Sequence, residues 1–428
     1  MTTPSASRRA SAAVRQPALL SLAAVLLAGC AAPAASPPAA APPAEESSSG
    51  AAAPAPTREA GAASPRLVLT HDGGLSVLDA ATLEPVAELE LPGFLRLSDA
   101  GDGRHLAVSG DGGFHLLDAG AWTRQHGDHG HHYTTEPRLT GQRIDAGAPG
   151  HVVARDGRTA FFDDADGSVT LLDTQQLAAG REDAGREGTE LRLPEAHHGV
   201  AVPLADGGLI VSRGDDQART GAAVLAGDGT EVLAGGNCPG LHGVAEAADA
   251  LAFGCEDGML IHRDGAFAKV QSPDGYGRLG NQAGSPASAV ILADYKTDPE
   301  ADLERPRRVA LVDTAAASMH LVDLDTSYSF RSLGRGPAGE ALVLGTDGAL
   351  HVINPDTAEL AARIPVTDAW EEPLDWQQPR PTLFVLGGTA YVTDPARRAL
   401  HAVDLAAGAV VRSADLEHVP NELDGVEG

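Results

Sequence analysis

Basic residues are scarce in this chain. Its 428 residues include 31 lysines and arginines against 59 aspartates and glutamates, a formal net charge of −28. No basic patch or arginine-rich helix is present in the sequence, so nucleic acid is excluded as the expected partner. A GxSxG nucleophile motif and a Gly-rich phosphate loop are also missing, and we predict that the chain is not an enzyme.

The N-terminal apolar run, residues 18–28, is too short to span a bilayer. It follows three arginines and ends in Leu-Ala-Gly-Cys30, which resembles a bacterial lipobox. This pattern predicts a lipoprotein signal peptide over residues 1–29 and a lipid on Cys30, which would anchor the chain to the cell membrane outside the cytoplasm. An ordinary secretory signal with a chance cysteine is the alternative. Residues 30–65, mostly Ala, Pro, Ser, Glu and Gly, are expected to be a disordered tether.

Cysteine is the second scarce residue, with three in the chain. Besides Cys30, there are Cys238 and Cys255, which read as the start of one strand and the end of the next. Antiparallel neighbours bring such positions within bridging distance, and the expected compartment is oxidising. We therefore predict a Cys238–Cys255 disulfide, with a zinc thiolate at Cys238, near His242, as the alternative.

Short apolar segments alternate with Gly-Asp turns, and no long 3.6-residue pattern occurs, which indicates an all-β fold. One segment recurs eight times with an acidic or amide end. These ends are Asp79, Asp118, Asp173, Asp228, Asp264, Asp323, Asn354 and Asp404. The mean spacing of about 46 residues matches the blade period of β-propellers.

The predicted fold is a β-propeller of about eight four-stranded blades over residues 66–428. Seven blades remain possible, because residues 365–381 are irregular. The first strands lack a preceding partner, so the C-terminal segment, HVPNEL from His418, is expected to supply the inner strand of the first blade. Closure of the ring in this way removes exposed sheet edges.

A second series marks the innermost strands, which line the channel of a propeller. HVVA begins at His151, HGVA at His198 and at His242, and AGEA at Ala338. Histidines at one register of successive blades face one another around the axis, so three imidazoles could present nitrogens to one zinc ion. The alternative is that each histidine is merely hydrogen-bonded in place.

Four histidines and an aspartate lie within the segment His126–Tyr133. The segment has no apolar periodicity, so we expect a flexible loop, inserted in one blade near residues 123–143. The ligands would be His126, Asp128, His129, His131 and His132, a set that suits zinc. Solvated surface is the alternative. A mobile loop beside the fixed His151, His198 and His242 site would act as a transfer arm.

The segments HGDHGHH, HHGVAVPL, GNCPGLHG, SYSFRSLGRGP and HVPNEL together resemble the periplasmic zinc metallochaperones of the AztD type. The resemblance extends over residues 66–428. It implies a β-propeller that binds zinc outside the cytoplasm and passes it to the solute-binding protein of a zinc ABC importer. The predicted lipid anchor departs from a freely diffusing chaperone and implies a tethered one.

Zinc is thus the expected metal, the solute-binding protein the expected partner, and a monomer the expected state. Zinc binding should weaken near pH 6.5 and below, as imidazoles protonate. A zinc-dependent propeller hydrolase and a protein-interaction propeller with incidental histidines are the alternative functions.

Overall fold

The computed structural model describes residues 56–178 and 188–428. The predicted signal peptide and the lipidation site, Cys30, lie outside these residues. In the part of the chain that is described, no helix is long and apolar enough to cross a membrane.

The described ranges contain strands β1–β35 and one short helix. The first strands are β1 Arg58–Ala60, β2 Arg66–His71, β3 Gly74–Asp79, β4 Pro85–Glu90, β5 Arg96–Asp99, β6 His105–Gly110, β7 Gly113–Asp118, β8 Ala121–His126, β9 His129–Thr134 and β10 Arg138–Asp145. Next come β11 Pro149–Arg155, β12 Arg158–Asp163, β13 Ser168–Asp173, α1 Thr174–Ala178, β14 Thr189–Arg192, β15 Ala201–Pro203, β16 Leu209–Gly214, β17 Arg219–Leu225 and β18 Glu231–Asn237.

The second half continues the same pattern of short strands. Its strands are β19 His242–Glu246, β20 Leu251–Cys255, β21 Gly258–Arg263, β22 Ala266–Gln271, β23 Gln282–Ala283, β24 Val290–Asp294, β25 Arg308–Asp313, β26 Ser318–Asp323, β27 Leu333–Arg335 and β28 Ala341–Leu344. The last are β29 Ala349–Ile353, β30 Leu360–Pro365, β31 Leu383–Leu386, β32 Thr389–Asp394, β33 Ala399–Asp404, β34 Ala409–Asp415 and β35 Leu423–Val426.

In the described ranges, 32 of these strands form eight four-stranded antiparallel sheets, which are the blades of a β-propeller, and β1, β8 and β9 form a separate sheet. From the innermost strand outward, blade I is β35-β2-β3-β4 and blade II is β5-β6-β7-β10. Blades III to VIII each use four consecutive strands, from β11–β14 to β31–β34. The eight-blade prediction is confirmed, and so is closure of the ring by the C-terminal strand.

The closing strand is β35, which pairs with β2 from Arg66↔Val426 to Leu69↔Leu423. It therefore begins at the last residue of the HVPNEL segment rather than at His418. Leu423 and Val426 are buried, and burial of each such side chain contributes about 1.5–3 kcal/mol. A further contact supports closure, since the Tyr391 hydroxyl of blade VIII donates to the Ala80 carbonyl of blade I at 3.0 Å.

The hydrophobic core lies between neighbouring blades. Phe114 of blade II packs with Phe161 of blade III, and Ile210 of blade IV shares a cluster with Phe253 of blade V. Alternation along each strand sends apolar residues to both sides of a blade, so each sheet is buried on both faces.

The innermost strands all run in the same direction along the channel, which defines two faces of the ring. We call the face at which they begin, marked by Pro149, His242 and Leu423, the upper face. The lower face is the one at which they end, marked by Arg155 and Val426. Strand direction reverses within a blade, so second strands end at the upper face and third strands end at the lower face.

The repeat predicted from the acidic ends corresponds to the third strand of a blade in seven of the eight copies. The exception is the copy at Asp323, which ends β26, the outermost strand of blade VI; the equivalent third strand, β25, ends at Asp313. The AGEA prediction is wrong as well, because Ala338 lies in the turn after the innermost strand β27.

The histidine-rich segment is not a flexible loop. Strands β8 and β9 form a hairpin with a turn at Gly127 and Asp128, and β1 pairs with β9 to complete a three-stranded sheet. Gly127 adopts a φ of 64° there, which glycine tolerates without strain. Backbone pairing thus overrides the lack of an apolar pattern, and a strand forms inside the range expected to be a disordered tether.

Candidate metal centres

The histidines of blades III, IV and V meet at the upper face of the channel. One ring nitrogen from each of His151, His198 and His242 lies within 4.8 Å of the other two. The ring centroids are 4.8, 5.3 and 5.1 Å apart. We call this group the channel triad. The register inferred from the repeat thus brings these three side chains together.

Each imidazole of the triad is oriented by a hydrogen bond from its Nδ1. His151 donates to the Gly199 carbonyl at 2.9 Å, and His242 donates to the Gly280 carbonyl at 2.6 Å. His198 Nδ1 lies 2.5 Å from Oδ2 of Asp164. Because carbonyl and carboxylate oxygens only accept, the neutral form of each ring carries its proton on Nδ1 and keeps the lone pair on Nε2.

The spacing of those lone pairs suits a small cation. The Nε2 atoms of His198 and His242 are 3.2 Å apart. Two neutral imidazoles of this tautomer cannot hydrogen-bond through Nε2, since neither carries a proton there. Tetrahedral zinc with Zn–N bonds of about 2.0–2.1 Å holds its nitrogens roughly 3.3 Å apart. The donor set therefore fits zinc, with a fourth position left for another ligand.

Two imidazoles of the triad have lowered pKa values, which keep them in the neutral form that binds a cation. Burial, followed by repulsion from the other two imidazoles, lowers the pKa of His151 to about 3. Burial is also the main cause that lowers the pKa of His242 to about 4. Both side chains thus remain neutral, and able to coordinate, far below the pH 6.5 expected from sequence.

A glycine and a disulfide place His242. Gly243 has a φ of 65°, and the β19–β20 register shifts between His242 and Ala245, which is a bulge that re-aims the strand. Cys238 and Cys255 form the expected disulfide, with a Cα–Cα distance of 5.0 Å. Because its sulfur is bonded to Cys255, Cys238 is not a zinc ligand.

The neighbouring His197 has a structural role. It lies between β14 and β15, and its ring is buried away from the triad, where its Nδ1 donates to the Glu195 carbonyl at 3.0 Å. Its Nε2 lies 2.8 Å from Oγ of Ser212. It therefore holds the segment before β15 in place without contacting the triad.

Two cavities meet at the exposed member of the triad. A channel cavity of about 310 Å³ is lined by all three histidines. A second, open groove of about 640 Å³ lies on the upper face and shares His198 with the channel cavity. The groove is acidic, with Asp164, Asp215, Asp216 and Glu256 facing one arginine, Arg219.

A second cluster lies on the hairpin. His126, His129 and His131 each place a ring nitrogen within 4.8 Å of the others. His126 and His129 are direct cross-strand partners, and His131 lies two residues further on the same face. We call these three residues the hairpin cluster; they are more exposed than the channel triad.

Two of the ligands expected in this segment have other surroundings. His132 points to the opposite face, and its Nδ1 lies 2.8 Å from the hydroxyl of Thr123, which donates to the carbonyl of Gly428. Asp128 is at the turn; its carboxylate is fully exposed and lies 3.2 Å from Nδ1 of His129. The hairpin cluster therefore consists of three histidines rather than five residues.

Two carboxylates that orient the ligands were missed at the sequence level. Asp164 follows a second strand, and Glu59 lies in β1, where its Oε1 is 2.9 Å from Nδ1 of His131. Neither has a spacing in the sequence that points to a histidine. Only the pairing of β1 with β9 brings Glu59 to the hairpin.

The two clusters lie at opposite faces of the ring. The hairpin connects β7, a third strand, to β10, and β7 ends at the lower face. The contact of Thr123 with Gly428, just beyond the end of β35, confirms that position. The expectation of a transfer arm beside the channel triad is therefore wrong, because an insertion after a third strand emerges at the lower face.

The chain is similar in both sequence and structure to a zinc chaperone of known structure. The chain is 27% identical over 374 residues to the zinc chaperone AztD of Citrobacter koseri, covering 84% of this chain and 86% of that protein. A crystal structure of C. koseri AztD matches with a TM-score of 0.75 and 26% identity, covering 86% of this chain and 99% of that one. The apo form matches with a TM-score of 0.73 and 25% identity, covering 86% and 100% of the two chains.

A dihydro-heme d1 dehydrogenase, NirN, shares the fold alone, with a TM-score of 0.54, 14% identity and coverage of 84% and 74%. No family profile matches the sequence. The resemblance expected from the sequence motifs is confirmed: in sequence and in fold, the chain is a homologue of AztD.

Proposed function

We propose that this homologue of the zinc chaperone AztD binds zinc outside the cytoplasm and delivers it to the solute-binding protein of a zinc ABC importer. The observation that carries the proposal is the channel triad, in which three imidazoles, each oriented by a hydrogen bond at Nδ1, place one ring nitrogen each within 4.8 Å of the others. The buried disulfide supports a compartment outside the cytoplasm. Zinc is the cargo in this proposal, and the chain acts as a monomer without enzymatic activity.

The groove on the upper face is the proposed route for transfer. His198 has 39% of its side chain exposed and separates the groove from the channel. A ligand of the partner can enter through the groove while His151 and His242 still hold the ion, so zinc never loses all its protein ligands. The carboxylates of the groove would attract the cation and a basic face of the partner.

The hairpin cluster is proposed as a second, independent zinc site. Its position at the lower face prevents it from reaching a partner that is bound at the groove. The carboxylate of Glu59 orients His131 as Asp164 orients His198, so each site has its own supporting acid. The lipid on Cys30 remains part of the proposal, as an anchor that precedes β1.

The test is zinc transfer from the loaded full-length chain to the cognate solute-binding protein. We expect His198→Asn to abolish tight binding and transfer from the channel triad, whereas a triple asparagine variant of the hairpin cluster removes only the hairpin zinc. His320→Asn, an exposed histidine in blade VI, is the matched control. Transfer at the wild-type rate and amount from the His198 variant would refute the proposal.

The route is tested separately. The double variant Asp215→Asn/Asp216→Asn should slow transfer several-fold and leave zinc affinity unchanged, because these carboxylates line the groove without orienting a ligand. Asp206→Asn/Asp228→Asn removes two exposed carboxylates from the same blade, at its lower face, and serves as the charge-matched control. Equal slowing by both variants would mean that net charge, rather than the groove, governs transfer.

A further inference from the structure

A third cluster of ligand-type side chains lies on blade I, apart from both sites above. It consists of His71 at the end of β2, Glu88 in β4 and His418 in the segment before β35. One ligand atom from each lies within 4.8 Å of the other two. Second strands end at the upper face, so this cluster shares that face with the channel triad.

The ring of His71 is held in one tautomer. Its Nδ1 donates to the carbonyl of Asp72 at 3.0 Å, which leaves the lone pair on Nε2. Only 9% of the side chain is exposed, and Nε2 is a buried atom without a hydrogen bond among the described residues. A buried polar atom with no partner costs about 1–3 kcal/mol, so this nitrogen is directed at something that stabilises it.

The atom that faces Nε2 is an oxygen of Glu88, at 3.3 Å. A nitrogen lone pair and a carboxylate oxygen repel each other at this distance unless a cation lies between them. Oε2 of Glu88 also accepts a hydrogen bond from Oγ of Ser76 at 2.9 Å, across the β3–β4 pair. The carboxylate is thus held in place by the hydroxyl of Ser76.

His418 supplies the movable ligand. Its ring stacks on His71, with centroids 4.0 Å apart and planes 16° apart. A metal in the plane of the His71 ring lies outside the plane of a ring stacked on it, so His418 must turn to coordinate. It can do so, because in the described ranges no hydrogen bond or ion pair fixes its ring beside this stacking.

We propose that His71, Glu88 and His418 form a third binding site, for a divalent cation of the zinc class. Two imidazoles and one carboxylate are a known zinc ligand set, and Glu88, with 42% of its side chain exposed, leaves a position open to solvent. The proposal goes beyond the function above, since it needs neither the channel triad nor the hairpin cluster. The competing occupant is a proton shared by His71 and Glu88, which would neutralise the pair without any metal.

The experiment uses the full chain with all six histidines of the channel triad and the hairpin cluster changed to asparagine. Equilibrium dialysis should then find one zinc per chain, and Co²⁺ should give the visible absorption of a tetrahedral site. Adding Glu88→Gln or His418→Asn should weaken zinc binding at least tenfold. Ser76→Ala, which removes only the supporting hydroxyl, should weaken it about tenfold. His320→Asn is the control and should change nothing.

Absence of zinc binding in a folded sixfold variant would overturn the proposal and leave the proton as the occupant. Unchanged binding after Glu88→Gln and His418→Asn would also overturn it. If the sixfold variant does not fold, the same comparison is made in the wild-type chain, where each of these two substitutions should lower the zinc stoichiometry by one. The channel triad and hairpin cluster are scored separately in that chain, so failure here leaves the proposed function untouched.

Discussion

The carboxylate of Asp164 accepts the Nδ1 proton of His198, and replacing it by asparagine should change the tautomer of that ring. In the wild-type chain, Oδ2 of Asp164 accepts from Nδ1 of His198 at 2.5 Å, while Oδ1 accepts from the Gly199 amide at 3.1 Å. Asparagine can keep the second bond through its oxygen. Its amide N–H groups then face Nδ1 of His198, and a donor cannot face a donor.

The expected result of Asp164→Asn is that His198 moves its proton to Nε2 and withdraws one lone pair from the triad. Loss of such a supporting group costs about 10–100-fold in metal affinity, which corresponds to roughly 1.4–2.7 kcal/mol. The effect should not come from misfolding, because the Gly199 contact is retained and Asp164 has its charge near the surface, with 19% of its side chain exposed.

The assay is competition for zinc with a chromophoric chelator, in a background that lacks the hairpin cluster and carries Glu88→Gln. Asp166→Asn is the matched control, because Asp166 lies in the same turn but bonds to Ser168 and Arg192. NMR of the His198 ring would report the tautomer directly. An affinity within twofold of wild type, with Nδ1 of His198 still protonated, would refute the argument that Asp164 sets the tautomer.

Three other predictions concern protons and stability. In the same background, zinc binding to the triad at pH 5.5 should release at most one proton. The reason is that the pKa of His151, about 3, and that of His242, about 4, leave both rings neutral at this pH. Calorimetry in buffers of different ionisation enthalpy measures the number of protons released, and release of two or three protons would contradict the prediction. Burial raises the pKa of Asp424 to about 7. The folded state therefore binds a proton that the unfolded state has lost between about pH 4 and 7, so this contribution to stability falls as pH rises through that window. Asp424→Asn should raise the melting temperature more at pH 8 than at pH 5, and an equal shift at both would contradict the assignment. Cys255→Ser should lower the free energy of unfolding by about 3 kcal/mol, measured in urea. It should also weaken zinc binding, because Cys255 lies in β20, the strand that pairs with β19 and its His242. An unchanged zinc affinity in the folded variant would mean that the disulfide does not position the zinc ligands.

The ring and its channel triad were predictable from sequence because both are periodic. The third strand of a blade ends in an acidic turn, and the innermost strand starts near a histidine in blades III to V. The failure at Asp323 has a physical reason: strands β25 and β26 both end in a Val-Asp pair, so an outer strand imitates the third one. The predicted number of blades comes from the mean spacing of eight copies, so one copy assigned to the wrong strand does not change it.

The hairpin and the acids were not predictable, because they depend on pairing between distant segments. Nothing in the composition around Glu59 distinguishes it from the tether, yet backbone pairing with β9 orders it. The position of the hairpin was inferable in principle, since strand direction alone assigns the end of β7 to the lower face. His132 could also have been separated from His131 by strand alternation, had the segment been recognised as a strand.

The pairing of β1 with β9 gives the hairpin cluster a mechanical property. Only three residue pairs hold β1, from Arg58↔Thr134 to Ala60↔His132, and each hydrogen bond in such a ladder contributes about 0.5–1.5 kcal/mol. Tension applied to the chain before Arg58 would act on this short ladder first. It would separate β1 from β9 and Glu59 from His131. His132 stays fastened through Thr123 to Gly428. Separation of β1 from β9 would remove the carboxylate that orients His131, so the geometry of the hairpin cluster depends on this short ladder, whereas the ligands of the channel triad lie on other strands.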